Sequence, residues 1–334
     1  MLKLSILDQS PIATGVNART AIKQTANLAV WAEQLGYYRF WVSEHHDAGR
    51  VAGSTPEVLL AHIGGITKKI RIGSGGVMLP HYSSYKVAEN FKMLEALYPN
   101  RIDLGLGRAA GGNPIATMAL QNNPDGNRDR YPEQIEDLKG YLTELPQAHR
   151  FYGITATPMV DTLPELWLLG SSGGSARIAA EKGTAFTFAH FINGAGGEDV
   201  VKAYKEHFQP SEFYAKPEAS VAIHLICADT DEEANRLATS LDLSLLMLQK
   251  GERSMEIPTV DAALNYPYTQ HDIEQIKENR KRMIVGDPKK VKKSIESLAT
   301  TYDVNEVIII TITHDFQARM RSFELVANMF QMNE

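Results

Sequence analysis

Short runs of apolar and β-branched residues alternate with longer amphipathic stretches from one end of this 334-residue chain to the other. Runs of the first kind are typical of strands, and stretches of the second kind are typical of helices. Eight runs are predicted to be strands: residues 2–8, 39–44, 70–79, 101–107, 165–170, 185–192, 220–228 and 306–312. Strands that alternate with helices in this way indicate a parallel sheet.

The stretches between the strands carry start and stop signals for helices. Residues 20–36 form one predicted helix, which ends at Gly36, a residue type preferred just after a helix. Its predicted apolar face consists of Ile22, Ala26, Ala29, Val30, Ala32 and Leu35. In residues 286–302, Asp287 is a predicted N-cap and Pro288 occupies the first helical position, where proline is tolerated.

Eight parallel strands and their helices, on a chain of this length, fit one closed (β/α)8 barrel better than an open doubly wound sheet. We therefore predict an α/β fold, a single TIM-barrel domain over residues 1–334 with insertions after strands 4 and 7. The extra length is assigned to residues 109–130, 146–164 and 250–276. These segments are rich in Gly, Pro, Asn and polar residues and show no sustained period.

The composition narrows the classes of partner. Hydrophobic residues make up 43% and charged residues 22%, as in soluble globular proteins, and the net charge of −6 argues against a nucleic-acid-binding protein. No apolar run approaches the roughly 20 residues that a membrane-spanning helix needs. The single cysteine, Cys227, can form no internal disulfide, so a reducing compartment is expected. We predict a cytoplasmic protein without a membrane or nucleic-acid partner.

Polar residues concentrate where the predicted strands end. In a (β/α)8 barrel the active site lies at the carboxyl ends of the strands. The residues there are Gln9, Ser10 and Pro11, then Glu44, His45 and His46, then His81 and Tyr82, then Arg108, then Ser171, Ser172 and Ser175, then His190 and Asn193, and finally His314. The pattern predicts one site assembled from several strands.

The segment "LLGSSGGSARIAAEKG", residues 168–183, joins a strand to a helix through a turn rich in glycine and serine. Free backbone N–H groups and hydroxyls at such a helix start can bind an anion, which would make Ser171, Ser172, Gly173 and Ser175 a phosphate cradle. An ordinary capped turn is an equally good interpretation of this stretch alone. Arg108 favours the cradle, because a guanidinium can bind phosphate through two parallel hydrogen bonds.

The stretch Glu44-His45-His46-Asp47 admits a metal site, an acid/base cluster or a polar turn. Consecutive strand residues point to opposite faces, so His45 and His46 cannot easily bind one ion, and no metal is predicted. Because two imidazoles lie beside a phosphate cradle, acid/base catalysis or hydrogen bonding to a ligand is a better interpretation of this stretch than a polar turn. At the third strand end, Gly75 and Gly76 would let a flat ligand approach the backbone, although a simple β-bulge is the alternative.

Long segments of the chain then match a known family pattern in the same order. They include "LSILDQSP", "WAEQLGYYRFWVSEHH", "STPEVLLAHI", "KIRIGSGGVMLP", "VAENFKMLEALYPNRIDLGLGRAAG", "LWLLGSSGGSARIAAEKG" and "IVGDPKKVKKSI". The chain resembles the bacterial-luciferase-like, flavin-dependent monooxygenases over nearly its whole length. The resemblance implies a (β/α)8 barrel that binds FMN at its carboxyl end, usually in a homodimer.

The resemblance also implies roles for particular residues. It places the flavin phosphate on Arg108 and around Ser172 and Ser175, and a non-proline cis peptide at Gly75-Gly76. The family's catalytic imidazole corresponds to His45. Where luciferase itself has a reactive cysteine, this chain has Gly107, which argues against light emission.

The function that follows is a two-component monooxygenase. Reduced FMN, from a separate flavin reductase because no nicotinamide motif is evident, is expected to react with O2 at C4a to give a peroxide that oxidises a small-molecule substrate. The predicted catalytic residues are His45, His46 and Glu44; the predicted cofactor-binding residues are Ser10, Gly75, Gly76, Arg108, Ser171, Ser172, Gly173 and Ser175. Two alternatives stay open: hydride transfer with F420 or flavin, and a non-catalytic flavin-binding protein.

Overall fold

The computed structural model describes residues 2–108, 112–121, 130–252 and 256–332. Within these ranges the strands are β1 (Lys3–Asp8), β2 (Arg39–Val42), β3 (Arg71–Met78), β4 (Ile102–Gly107), β5 (Glu165–Gly170), β6 (Ala185–Ala189), β7 (Ala219–Cys227), β8 (Met283–Gly286) and β9 (Glu306–Ile310). The helices are α1 (Ala18–Gln34), α2 (Pro56–Ile66), α3 (Ser84–Leu97), α4 (Pro114–Gln121), α5 (Tyr131–Leu142), α6 (Gly173–Lys182), α7 (Gly197–Glu206), α8 (Asp231–Gln249), α9 (Val260–Leu264), α10 (Gln270–Arg280), α11 (Pro288–Tyr302) and α12 (Phe316–Met329).

Eight parallel strands close into a ring, which confirms the predicted (β/α)8 barrel. Each strand from β1 to β6 pairs with the next, β6 pairs with β7, β7 with β9, and β9 with β1. Helices cover the outside, and their apolar faces pack on the outward side chains of the strands to form the larger core cluster. All eight predicted strands are present, with ends shifted by up to three residues.

A further strand and several helices were not predicted. Strand β8 pairs with the second half of β7 outside the ring, and its four residues are too few to show a period. The insertion after β4 contains α4, and the insertion after β7 contains α9 and the start of α10, although neither insertion shows a sustained period in the sequence. Side-chain caps from Thr259 and Thr269 start these helices, whose sides are largely exposed and therefore lack an apolar stripe.

The first helix illustrates a smaller error. Helix α1 ends where predicted, with Gly36 just beyond it at a φ of +83°, which favours glycine. Its buried face includes Thr25 and Leu28, whereas Ile22 is exposed. The Thr25 hydroxyl donates a hydrogen bond to Asp8 over 2.7 Å, so a polar contact with the barrel sets the rotation of the helix.

The inside of the barrel follows the two-residue alternation of its strands. At the end where the strands start, Arg39 is 2% exposed and pairs with Asp103 at 2.8 Å and with Glu306 at 2.7 Å. The indole of Trp41 donates to Asp103 over 2.8 Å, one layer further in. We call Arg39, Arg71, Asp103, Glu165 and Glu306 the floor network. It closes one end of the barrel, which leaves the other end for a site.

No helix in the described ranges is both long enough and apolar enough to cross a bilayer.

Candidate active site

A cavity of about 480 Å³ lies at the carboxyl ends of the strands. That volume falls in the range of small-molecule sites. It is lined by Leu7, Gln9, Trp41, Ser43, His45, Gly75, Gly76, Met78, Gly107, Arg108, Leu169, Gly170, Ser171, Ser172, Ser175, Thr187, Ala189, Phe191, Ile192, Ala222 and Ile308. The structure therefore brings seven of the predicted site residues together around one space: His45, Gly75, Gly76, Arg108, Ser171, Ser172 and Ser175.

His45 is the imidazole that faces this cavity. Its backbone N–H donates to the Gly53 carbonyl over 2.8 Å, and its Nδ1 lies 3.1 Å from the Ser43 hydroxyl. Burial, helped by the charge of Arg50 and by His46, lowers the pKa of His45 to about 4. The ring is therefore neutral at pH 7 and presents one N–H donor and one lone pair.

Glu44 and His46 lie behind the cavity wall and contact each other. The fully buried Glu44 carboxylate accepts hydrogen bonds from His46 Nε2 at 2.6 Å, from the Tyr82 hydroxyl at 2.8 Å and from the Met78 backbone N–H at 2.9 Å. Neither residue lines the cavity. The Glu44 carboxylate instead joins the ends of β2 and β3, and Met78, which it holds, does line the cavity.

The β3–β4 side of the barrel has almost no side chains at the level of the cavity. The Gly75-Gly76 peptide bond is cis, as the family resemblance implies. A Cβ on Gly76 would lie 2.7 Å from the Gly105 carbonyl oxygen, and a Cβ on Gly107 would lie 2.8 Å from the Met78 sulfur. Backbone packing therefore requires glycine at position 76, and we call the three glycines of this side that line the cavity, Gly75, Gly76 and Gly107, the glycine wall.

The start of α6 forms the predicted cradle. Ser172 occupies the N-cap position, but its hydroxyl oxygen accepts no hydrogen bond from the backbone N–H groups of the helix. A Cβ on Gly173 would meet open space, and one on Gly174 would meet the Arg108 guanidinium at 3.6 Å and the Ser172 hydroxyl at 4.0 Å. A guanidinium, a hydroxyl and a helix N-terminus therefore border one open volume, which fits a phosphate group.

Two of the predicted cofactor-binding residues do not line the cavity. Ser10 is 1% exposed, and its hydroxyl oxygen lies 3.0 Å from the Thr25 hydroxyl of α1, so it faces α1 and not the cavity. Gly173 borders the open volume at the helix start but does not line the cavity. Their predicted roles stay predictions.

Several cavity residues were not among the predicted site residues. Strand β2 shows the signal that could have found one of them, because Arg39, Trp41 and Ser43 alternate onto the inward face. Thr187 and Ala189 follow the same rule less visibly, since β6 is buried on both faces. No group of three or more His, Cys, Asp or Glu residues within the described ranges is arranged to hold a metal ion.

A closed barrel with a phosphate-sized cradle and a neutral imidazole on one cavity is typical of enzymes that bind a phosphate-bearing cofactor at the carboxyl ends of the strands. A family model described as luciferase-like monooxygenase matches residues 2–303. The chain belongs to this family of flavin-dependent monooxygenases, as its sequence motifs predict.

Relatives match over almost the full chain. YwcH of Bacillus subtilis is 52% identical over 99% of both chains. The N-acetyl-S-alkylcysteine monooxygenase of Bacillus subtilis is 38% identical over 98% of both chains. The crystal structure of apo-MsnO8 has a TM-score of 0.90 at 33% identity, and the match covers 99% of this chain and 98% of that one.

More distant structures share the fold alone. The oxygenating constituent of 3,6-diketocamphane monooxygenase from Pseudomonas putida, in complex with FMN, has a TM-score of 0.70 at 20% identity, covering 98% of this chain and 97% of that one. An F420-dependent secondary alcohol dehydrogenase has a TM-score of 0.67 at 12% identity, covering 100% and 99%. The same fold therefore occurs in a protein solved with FMN and in an enzyme that depends on F420.

Proposed function

We propose that this protein is a monooxygenase that uses reduced FMN and O2 to oxidise a small organic substrate. The observation that carries the proposal is the shared cavity, where the cradle at the start of α6 and the neutral His45 line one space. When bound, reduced FMN supplies the activation of O2 at its C4a carbon. A separate flavin reductase is the expected source of reduced FMN.

The fit of FMN rests on this chain's own residues. Arg108, Ser172 and Ser175 would hold the phosphate, and the glycine wall offers a flat surface free of side chains for the planar ring system. Gly170 supports this arrangement, because a Cβ there would lie 2.5 Å from the Cβ of Ser175 and displace it. Largely apolar residues such as Leu7, Trp41 and Ile308 exclude water from the inner part of the cavity.

His45 is the proposed acid/base residue. At neutral pH its ring is uncharged, and its Nδ1 is engaged with Ser43, so the other ring nitrogen is available to donate or accept a proton at the cavity. Glu44 and His46 do not reach the cavity and are proposed as positioning residues. The Glu44 carboxylate accepts hydrogen bonds from the Tyr82 hydroxyl and the Met78 N–H, and it thereby fixes the loop that carries Glu44 and His46.

Two further proposals concern the substrate and the oligomeric state. The name of the relative N-acetyl-S-alkylcysteine monooxygenase suggests an N-acetyl-S-alkylcysteine as the first substrate to assay. A homodimer is supported by an apolar groove between α2 and α3, beside which Val58, Met93 and Leu97 are exposed by 70%, 52% and 53%. Light scattering of the purified protein tests the dimer.

The first experiment is an anaerobic titration of the protein with reduced FMN, oxidised FMN and F420. We expect reduced FMN to bind and, after mixing with O2, to release hydrogen peroxide more slowly than free reduced FMN does. Binding of F420 alone, with reduction by a soluble alcohol, would support hydride transfer instead. Binding of oxidised FMN without any effect on the oxygen reaction would support a non-catalytic flavin-binding protein.

Replacing His45 tests the acid/base assignment. We expect His45→Asn to lower kcat about 100-fold or more while reduced FMN still binds, because general acid/base catalysis contributes on that scale. His62→Asn, at an exposed position of α2, is the matched control and should retain full activity. Equal kcat values for His45→Asn and the wild type would remove His45 from the reaction.

A further inference from the structure

Gln9 is a buried amide that lines the cavity without a hydrogen-bond partner. It follows β1 directly and is 8% exposed. In the part of the chain that the structure describes, its side chain forms no hydrogen bond. A polar group that is removed from water and left unpaired is unfavourable, which makes this amide a candidate for hydrogen bonds to a bound ligand.

The residues on either side of Gln9 fix its backbone. The Asp8 carboxylate accepts hydrogen bonds from the Thr25 hydroxyl at 2.7 Å and from the Ser10 N–H at 2.8 Å. Side chains alternate between the two faces of a strand, so Gln9 points into the barrel as Leu7 does, whereas its two neighbours in sequence point to α1. The amide is therefore presented to the cavity from a fixed position.

The glycine wall lies between two sides of the cavity that differ in polarity. In the ring, β3 and β4 have β1 and β2 on one side and β5, β6 and β7 on the other. The side of β1 and β2 contributes the polar residues Gln9, Ser43 and His45. The side of β6 and β7 contributes the apolar residues Ala189, Phe191 and Ala222. Thr187 on that side is already engaged, because its hydroxyl lies 2.9 Å from the Ser220 hydroxyl.

The ring system of a flavin has the same asymmetry, since its pyrimidine end carries an N3–H group between two carbonyls and its dimethylbenzene end is apolar. We propose that the pyrimidine end points to β1 and β2, where the Gln9 amide binds it. The amide oxygen accepts a hydrogen bond from N3–H, and the amide nitrogen donates one to an adjacent carbonyl. This inference rests on the proposed function.

The opposite orientation of the ring would be unfavourable at both ends. It would leave the Gln9 amide unpaired against an apolar edge, and it would bury the pyrimidine N–H and carbonyl groups against Ala189, Phe191 and Ala222. Gln9 therefore selects which end of the flavin lies beside His45, and it acts as a cofactor-binding residue.

The test compares FMN with 3-methyl-FMN, in which a methyl group replaces the hydrogen on N3. Both are reduced, and their binding is measured by calorimetry under anaerobic conditions. We expect the wild type to bind reduced FMN at least about tenfold more tightly than reduced 3-methyl-FMN, because the methyl group removes the N3–H donor and leaves the Gln9 oxygen unpaired.

Gln9→Met keeps the length of the side chain and removes the amide, so it should bind the two flavins with equal affinity. Gln9→Asn is the second variant, in case methionine disturbs folding, and it should also lose the preference because its amide lies one methylene further back. Gln317→Met, at an exposed position of α12, is the matched control and should keep the wild-type preference. Each ratio is measured within one protein, so a loss of folded material affects both flavins alike.

Three results would overturn the proposal. Equal affinities of the wild type for the two flavins would show that N3–H has no buried partner. A preference that survives in Gln9→Met and Gln9→Asn would assign N3–H to another residue. Weaker binding of both flavins by the Gln9 variants, with the wild-type ratio intact, would limit Gln9 to shaping the cavity. In all three cases FMN still binds the wild type, whereas binding of neither flavin would contradict the proposed function itself.

Discussion

His224 is a buried histidine whose ionisation is coupled to folding. It is 4% exposed, its Nδ1 has no hydrogen-bond partner within the described structure, and its ring meets the Phe191 ring edge-on at 5.2 Å. Burial lowers its pKa from 6.5 to about 4, despite a hydrogen bond with the Ile310 backbone that favours the charged form. The sequence did not single out this residue. A single histidine in the apolar run of β7 does not reveal how deeply it is buried or which residues contact it.

The lowered pKa predicts a pH-dependent stability. Above pH 6.5 the histidine is neutral in both the folded and the unfolded state. In that range it does not make the free energy of unfolding depend on pH. Between pH 6.5 and 4 the unfolded chain takes up a proton that the folded state excludes, and the free energy of unfolding falls by roughly 3 kcal/mol from this residue. His224→Phe should flatten that part of a urea-unfolding profile. His271→Phe, on the exposed side of α10, is the control, and an unchanged slope in His224→Phe would contradict the assignment.

Helix α11 shows how much of an element the sequence can predict. Its N-cap, Asp287, accepts a hydrogen bond from the Lys290 N–H over 2.9 Å, and Pro288 occupies the first turn, both as expected. Capping is local, so a short sequence window contains the necessary information. Helix α10 escaped prediction because its face is polar, and β8 escaped because its pairing with β7 depends on contacts distant in sequence.

The cap can be tested directly. Asp287→Ala is expected to lower the free energy of unfolding by about 1 kcal/mol, because one N–H of the first turn loses its acceptor. Asp287→Ser should lose much less, since serine also caps. Urea unfolding of the three proteins measures the difference. Equal stability of the alanine and aspartate proteins would show that the cap contributes nothing to this helix.

At the scale of the molecule, the two ends of the barrel have separate chemistry. The floor network joins residues at the starts of β2, β3, β4, β5 and β9, whereas the cavity is built from residues at the opposite ends. The barrel was predictable, because strand count and order follow from local periodicity. The partners of Arg39 were not, because Asp103 and Glu306 lie far from it in sequence and meet only through strand register.

The floor network predicts a large effect of one substitution. Arg39→Met removes the guanidinium and leaves Asp103 and Glu306 buried with fewer partners, so the free energy of unfolding should fall by about 3–5 kcal/mol. Lys86→Met, which breaks an exposed pair with Glu89, should change it by less than about 1 kcal/mol. Urea unfolding of both variants provides the comparison. A similar small loss in the two would mean that the floor network does not stabilise the barrel.

The glycine wall also bears on the handedness of the product. A planar ring that lies against Gly75, Gly76 and Gly107 has one face covered by backbone, so the second reactant can approach only the other face. A prochiral sulfur atom held in a fixed orientation at that open face would receive oxygen from a single direction. On the proposed function, a thioether substrate should therefore give a sulfoxide of one configuration, which chiral chromatography of the product can measure.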